Sequence, residues 1–560
     1  MKRRRRLSVG ILALVTVALT ACAGLPTAGP VNAGLPPGEA AGSLDVDFLP
    51  ERPVPGATAE QIVEGFVEAA TSPAGNFEIA RSFLAPSVRD EWDPSAGVTI
   101  DQPRSRSFSP VVSGTVTLTL TPTADVDDTG AYHVTETPSA ATRSYAVAKQ
   151  GNGEYRVVSA PDGIVLDAET FKVVYNPFTL MYFDATWHFL VPDVRWLPAR
   201  TNIATNITSK LIDGEPSPWL AAAVKSAFPQ DVGLRSKTVP VTGGVAQVEL
   251  DPSALGLDEL TLNRMQAQLQ ASLASAGVGS VDMMVGPNVL AATAVATSST
   301  KVDARALVQT AGGFGFVSGD ELELIPGLSQ QIVKRGNRAI EVARSQQFAA
   351  VLSDDGQVLR VAAEGDPLSL DARPGLIPPT VDPWGGIWSV PRDAPAALLA
   401  TMPGAATIAI GGAWIDAAQI TAMQLSRDGT RLAAIVTVGG QTWVEVAGVV
   451  RDADGVPSAL GESLKIARLA GDGVDIVWLD DTSIAVSMTE DAEPWIDTQL
   501  VGGPGARRDA PPGTLALAGA NSLPTLRLLT ADGVLFVQRA STWQVAGAGV
   551  LVLATQQGIP

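Results

Sequence analysis

The sequence predicts a multidomain protein in which α+β domains precede an all-β domain. Between residues 58 and 165, two runs of apolar residues at helical spacing are followed by several strand-like runs. Between residues 166 and 300, helical and strand patterns alternate. From residue 301 to residue 560, short apolar strands recur with acidic or glycine turns between them. We therefore expect three folded domains over these three segments.

A leader precedes the domains in residues 1–21. Lys2 and Arg3 to Arg6 form a basic segment, and the apolar run Leu7 to Leu19 is too short to span a bilayer. Small residues follow and end at Cys22, the one cysteine among the 560 residues. This order resembles a bacterial lipobox. The alternative is a secretory leader followed by a chance cysteine.

The lipobox resemblance implies cleavage after Ala21 and modification of Cys22 to an N-palmitoyl, S-diacylglycerol cysteine. The mature chain would then be a lipoprotein anchored on the extracytoplasmic face of the cell membrane. One acyl chain holds a protein only marginally, at about 0.8 kcal/mol per buried methylene, whereas a diacylglyceryl group gives stable anchoring. We therefore expect the membrane to be a partner of this protein through its lipid.

Composition excludes several classes of function. Cleavage would remove five of the 39 basic residues, which leaves 34 against 58 acidic residues and a net charge of −24. No basic cluster remains for nucleic acid, so we expect no nucleic-acid partner. The two histidines, His133 and His188, lie in strand-like and aromatic segments and are predicted to be structural. We therefore expect no catalytic set, no cofactor and no metal site.

Residues 22–57 are rich in glycine and proline and show no sustained period. This composition predicts a flexible tether, which would span roughly 30 Å as a loose coil. The alternative is an ordered arm that packs on a neighbouring domain.

Residues 58–165 begin with two amphipathic helices, whose apolar positions are Ile62, Val63, Phe66, Val67 and Ala70, and then Phe77, Ala80, Phe83 and Leu84. Strand patterns follow, and residues 151–153 join two of them as a hairpin. The order resembles NTF2-like or cystatin-like domains. This resemblance concerns the fold alone and implies no activity.

Residues 166–300 open with an aromatic stretch and continue with alternating helices and strands. In the strand around Val248, apolar residues alternate with Gln247 and Glu249, which predicts one buried and one wet face. The segment resembles the GerMN module on these patterns: Leu211-Ile212-Asp213-Gly214, residues 243–248, and the helix from Met265 to Leu273. That resemblance implies a binding module without a catalytic set.

Residues 301–560 repeat a strand, a turn and a second strand about every 50 residues, which is typical of β-propeller blades. We expect about five or six blades, with a β-sandwich as the alternative. The pairs Asp354-Asp355 and Asp480-Asp481 are predicted to occupy the same turn of different repeats, so turn geometry explains them better than catalysis. Calcium binding by these acidic turns is not favoured, because they lack the regular D-x-D spacing.

Trp384 and Trp388 lie in a Gly-Gly segment of the propeller region. Packing between blades is the favoured role for these two tryptophans. The alternative is an exposed platform for sugar rings or a partner protein.

The succession of lipobox, tether, α+β domain, GerMN-like module and propeller resembles the LpqB family of actinobacterial lipoproteins. This resemblance implies a non-catalytic accessory of a two-component system. Its partner would be the extracellular domain of an MtrB-like sensor histidine kinase, and its role the modulation of signalling in cell-envelope homeostasis and cell division. The alternative is a lipoprotein that binds or senses cell-wall glycan.

Overall fold

A computed structural model describes residues 50–102, 105–199, 202–319, 321–404 and 406–557. Cys22, the cleavage site after Ala21 and most of the predicted tether lie outside these ranges. Within them, every helix is too short or too polar to cross a bilayer.

The N-terminal part of the described chain combines two helices with eight strands. The helices are α1 (Ala59–Ala69) and α2 (Ala74–Ser82). The strands are β1 (Gly97–Asp101), β2 (Ser107–Phe108), β3 (Thr115–Leu120), β4 (Pro122–Asp127), β5 (Tyr132–Val134), β6 (Ala141–Lys149), β7 (Tyr155–Ser159) and β8 (Ile164–Asp167).

Helix α1 begins at a capping box. The backbone N–H of Gln61 donates to Thr58 Oγ1 at 3.3 Å, and the backbone N–H of Thr58 donates to Gln61 Oε1 at 2.9 Å. The predicted apolar positions Ile62, Val63 and Phe66 are buried against the sheet that contains β3, β6 and β7. Both predicted helices and the predicted hairpin between β6 and β7 are confirmed.

The eight strands form two sheets, with the orders β2-β3-β6-β7 and β5-β4-β1-β8. In the second sheet β1 and β8 run parallel, with Val98 opposite Ile164. The local strand patterns do not predict this long-range parallel pairing. Local patterns define strands but not their distant partners.

The middle part holds four helices and seven strands, and its two sheets have the orders β10-β9-β11 and β12-β13-β14-β15. The helices are α3 (Ala168–Val174), α4 (Ile203–Ile212), α5 (Pro218–Ala221) and α6 (Glu259–Ala274). The strands are β9 (Tyr175–Asp184), β10 (Leu190–Pro198), β11 (Val224–Lys225), β12 (Val241–Thr242), β13 (Val245–Glu249), β14 (Ser280–Val285) and β15 (Asn288–Val289).

Helix α6 packs between β9 and β14. Its residues Met265 and Leu269 are fully buried together with Ala246 and Val248 of β13, while Gln247 of the same strand is exposed. The predicted alternation of buried and wet positions in this strand is confirmed.

Within the described residues, the C-terminal part forms one eight-stranded sheet, made of two blades joined by a short parallel pairing, and four four-stranded sheets, which gives six four-stranded blades. The first contains β16 (Leu307–Thr310), β17 (Gly313–Ser318), β18 (Glu321–Leu324) and the C-terminal strand β39 (Val550–Gln556). Helix α7 (Leu328–Ile332) precedes the second blade. The second blade contains β19 (Asn337–Val342), β20 (Phe348–Ser353), β21 (Val358–Ala362) and β22 (Leu368–Asp371), and the third contains β23 (Thr380–Val381), β24 (Ile387–Ser389), β25 (Leu399–Thr401) and β26 (Thr407–Ala409). The fourth blade contains β27 (Ala417–Leu425), β28 (Arg431–Val438), β29 (Gln441–Arg451) and β30 (Pro457–Arg468), and the fifth contains β31 (Asp472–Trp478), β32 (Ser483–Glu490), β33 (Glu493–Leu500) and β34 (Gly505–Asp509). The sixth blade contains β35 (Thr514–Ala518), β36 (Arg527–Thr530), β37 (Leu535–Arg539) and β38 (Thr542–Gly547).

These blades form a closed ring. The inner strands contact one another in the order β39, β19, β23, β27, β31 and β35, and β35 contacts β39 again. Strand β39 also pairs antiparallel with β16, with Leu307 opposite Ala554, so the two ends of the domain share the first blade. The multidomain α+β and all-β prediction is confirmed, with a propeller rather than a β-sandwich.

The two acidic pairs lie in different connections of their blades. Asp354 and Asp355 lie between the second and third strands of the second blade, whereas Asp480 and Asp481 lie between the first and second strands of the fifth. In an antiparallel sheet these connections lie at opposite strand ends. The prediction that both pairs occupy the same turn is therefore wrong. Aspartate favours every tight turn, so its recurrence did not identify which turn of the blade it marks.

Candidate functional site

One face of the propeller is occupied by the chain's own middle part. We call it the covered face; it contains the connections between the first and second strands, including Arg344, Trp384 and Asn521. The segment that leads into the propeller crosses this face. Arg344 Nη1 donates to Ser299 O at 2.9 Å, and Asn521 Nδ2 donates to Val302 O at 2.8 Å. These bonds tie the second and sixth blades to the incoming chain.

Trp384 is one of the contacts between this face and the middle part. Its ring meets Phe189 edge-on at 6.1 Å between centroids, and the Arg451 guanidinium lies 4.3 Å from its ring centroid. A Cβ atom added to Gly429 would stand 2.5 Å from the indole, so a glycine is needed beside the ring. Trp384 therefore packs between the blades and Phe189.

Trp388 is 0% exposed, and its Nε1 donates to Asp382 Oδ2 at 3.1 Å. Asp382 also forms a buried ion pair with Arg451 at 3.1 Å. The favoured interpretation of the two tryptophans as packing residues agrees with these contacts. The alternative of an exposed sugar platform fits these contacts less well, because Trp388 is buried and the partly exposed ring of Trp384 already contacts Phe189 and Arg451.

A second junction joins all three parts of the described chain. The backbone N–H of Trp196 on β10 donates to Gly130 O at 2.7 Å in the N-terminal part, and its ring packs 4.7 Å from Phe171 of α3. Its Nε1 donates to Gly502 O at 2.9 Å in the fifth blade. Trp196 therefore links the three parts through its backbone N–H and its side chain.

The two histidines lie apart in sequence and structure. His133 lies on β5, with its Nε2 3.2 Å from Asp127 Oδ2, and this bond raises the pKa of His133. His188 lies in the middle part, where its Nδ1 is 2.9 Å from Thr186 Oγ1. Across the described ranges, the acidic and histidine side chains form no group of three or more that could hold a metal.

The opposite side of the propeller, the open face, contains the connections between second and third strands and the beginnings of the inner strands. Four aliphatic side chains are exposed there: Val333, Ile415, Leu515 and Leu551. Ile415 is 73% exposed and Leu551 is 62% exposed, so neither the N-terminal nor the middle part covers them. Exposed carboxylates accompany them: Asp354, Asp355, Asp416, Asp472 and Asp532. Aliphatic groups with a polar surround are typical of protein contact surfaces.

Three family models match successive parts of the chain. Residues 52–172 match the N-terminal domain of lipoprotein LpqB, residues 179–287 match a sporulation and spore germination domain named Germane, and residues 306–551 match the LpqB β-propeller domain. These descriptions name no enzyme.

Individual relatives agree with the family models. Lipoprotein LpqB of Rhodococcus opacus is 27% identical over 91% of this chain and 89% of its own length. The LpqB of Cutibacterium acnes is 25% identical, and the match covers 61% of this chain and 60% of that relative. Among solved structures, TolB from Acinetobacter baumannii is 12% identical with a TM-score of 0.32, covering 45% of this chain and 66% of that one. A likeness at that score carries no argument about function.

Proposed function

Because the chain belongs to the LpqB family of lipoproteins, we propose that it is a non-catalytic accessory protein of a sensor histidine kinase of the MtrB type. It is anchored on the extracytoplasmic face of the membrane through lipid on Cys22. It binds the extracellular domain of the kinase and thereby modulates signalling in cell-envelope homeostasis and cell division.

The asymmetry of the propeller is the observation that supports this proposal. The covered face is filled by Phe189 and the segment around Ser299, whereas the open face exposes Ile415, Leu515 and Leu551. Burial of such side chains by a partner contributes about 25 cal/mol per Å² of apolar surface. A protein contact on the open face is the simplest use of this arrangement.

Membrane anchoring strengthens a modest contact. Confinement of both proteins to one membrane raises their effective concentration, so a weak interface suffices. The accessory protein changes kinase output only if it binds one conformational state of the kinase more tightly than the other.

Direct binding between the purified mature chain and a kinase ectodomain tests the proposal. The double variant Leu515→Asp/Leu551→Asp places two charges on the open face and is expected to weaken binding at least about tenfold, which corresponds to about 1.4 kcal/mol. Val289→Asp is the matched control, because Val289 is 58% exposed on β15, outside the propeller.

The control variant should bind like the unmodified chain. Absence of ectodomain binding by the unmodified chain would refute the proposed role. Saturable binding of peptidoglycan fragments without any kinase contact would instead establish the glycan alternative.

A further inference from the structure

A pocket in the N-terminal part brings three arginines together. Its volume is about 350 Å³, and it lies beside α2. The charged residues that line it are Arg52, Arg81, Arg89, Glu78 and Asp90. Three guanidinium groups against two carboxylates leave one positive charge in excess, in a chain whose overall charge is strongly negative.

Arg81 is fixed in place by the protein. Its Nε donates to Asn76 O at 3.0 Å, its Nη1 donates to Arg89 O, and its guanidinium lies 5.4 Å from the ring centroid of Trp92. Arg89 Nε in turn donates to Arg81 O at 3.1 Å. Each arginine thus orients the other, and a ligand would find both guanidinium groups already positioned.

Two of the arginines remain available to a ligand. The terminal nitrogens of Arg89 have no hydrogen-bond partner within the described ranges. Arg52 Nη2 pairs with Glu78 Oε1 at 2.6 Å, but both side chains are largely exposed. Exposed pairs of this kind contribute only about 0–1 kcal/mol, so Arg52 can exchange its carboxylate for another anion at little cost.

The backbone beside the pocket is held in an unusual conformation. Gly75, Asn76 and Phe77 have φ angles of 58°, 57° and 60°, although only the first is a glycine. Left-handed backbone at a bulky residue such as Phe77 is unfavourable and persists where surrounding contacts impose it. Here the turn directs Asn76 O toward Arg81, and so contributes to the position of the guanidinium.

We propose that this pocket binds a phosphate group, and that the phosphate belongs to a membrane phospholipid headgroup. Guanidinium groups recognise phosphate oxygens through paired, charge-assisted hydrogen bonds. Arg52 lies near the C-terminal end of the predicted tether, and 27 residues lie between Cys22 and Pro50. A loose coil of that length would span roughly 30 Å, so a tether of this kind would place headgroups within reach. The lipid source rests on the proposed anchoring; the phosphate site itself does not.

The test uses the mature chain with Cys22→Ala, which keeps every described element and carries no acyl chain. Sedimentation with phosphatidylglycerol vesicles is compared with sedimentation with galactolipid vesicles, which contain no phosphate. Calorimetric titration with inorganic phosphate is the second arm. We expect binding to phosphatidylglycerol, none to galactolipid, and competition by inorganic phosphate.

Arg89→Glu is expected to lower vesicle binding at least about tenfold. Arg539→Glu, on an exposed propeller arginine, makes the same change in charge and should bind within about twofold of the unmodified chain. Equal loss in both variants, or no binding of phosphate in either arm, would overturn the proposal. Binding of inorganic phosphate without vesicle binding would refute membrane docking. Kinase binding is absent from these assays, so their failure is separate from failure of the proposed function.

Discussion

Glu341 joins three blades of the ring through one buried carboxylate. Its Oε1 accepts hydrogen bonds from the Val381 N–H at 3.2 Å and from Thr380 Oγ1 at 3.1 Å, and its Oε2 accepts one from Thr555 Oγ1 at 3.2 Å. Burial raises its pKa to about 7, although these hydrogen bonds oppose the shift. The Glu341 side chain on β19 therefore connects β23 and β39, and its titration makes the stability of the ring depend on pH.

The same kind of hydrogen bond between neighbouring inner strands recurs elsewhere in the ring. Gln424 Oε1 accepts the Trp478 N–H at 2.7 Å, and Asp475 Oδ2 accepts the Leu517 N–H at 2.8 Å. In each case a side chain of one inner strand satisfies a backbone donor of the next inner strand. An unsatisfied buried N–H would cost about 1–3 kcal/mol, so these contacts stabilise the ring as well as the single blade.

The variant Glu341→Gln tests the contribution of this carboxyl to pH dependence. In the unfolded chain the group titrates near 4.5, and in the folded chain at about 7, so the folded protein holds the proton more tightly. Its stabilising effect is fully present below the unfolded pKa and is lost as the pH rises through the folded pKa. The free energy of unfolding, measured with urea between about pH 4.5 and pH 7, should therefore decline less in the variant than in the unmodified chain.

Glu462→Gln is the matched control, because Glu462 is exposed on β30. Its free energy of unfolding should decline with rising pH as much as that of the unmodified chain. Burial raises the pKa of Asp475 to about 6, so this group contributes part of the pH dependence of unfolding in every variant. An unchanged decline in Glu341→Gln would contradict the assigned role of Glu341.

Strand β39 is the element that closes the propeller. It lies between β16 and β19 and supplies buried side chains to the packing between the first blade and each of its neighbours. The ring therefore depends on contacts between residues more than 200 positions apart, such as Leu307 and Ala554. Such long-range closure is expected to form late, because loop closure must precede its contacts.

Two leucines of β39 allow a matched test of this closure. Leu553 is 5% exposed and Leu551 is 62% exposed on the same strand. Leu553→Ala is expected to lower the free energy of unfolding by about 2–5 kcal/mol, because it leaves a cavity between blades. Leu551→Ala should change it by less than about 0.5 kcal/mol. Chemical denaturation measures both, and equal effects would contradict the position of β39.

Local patterns predicted individual helices and strands, but they did not show which turn holds each acidic pair or which distant strands pair. The apolar spacing of Ile62, Val63 and Phe66 identified α1, and alternation around Val248 identified β13. The parallel pairing of β1 with β8 and the closure by β39 join distant segments, which periodicity alone does not encode. The covered face is also non-local, since Phe189 and Trp384 meet across nearly 200 residues.

At the scale of the molecule, the described chain joins its parts at several points rather than through one flexible connection. Trp196 contacts all three parts, Phe189 packs on Trp384, and Lys465 of β30 pairs with Glu136 beyond β5 at 2.9 Å. A partner that binds the open face would therefore bind a propeller already held by the other two parts. Ile415 and Leu551 on the open face stay exposed in this arrangement.

Photo-crosslinking in intact cells tests whether the open face contacts a sensor histidine kinase. A crosslinking residue placed at position 551 samples the open face, and one placed at position 289 samples an equally exposed site outside the propeller. We expect position 551 to capture a sensor histidine kinase and position 289 to capture none. Capture of no kinase from position 551, or equal capture from both positions, would contradict this expectation.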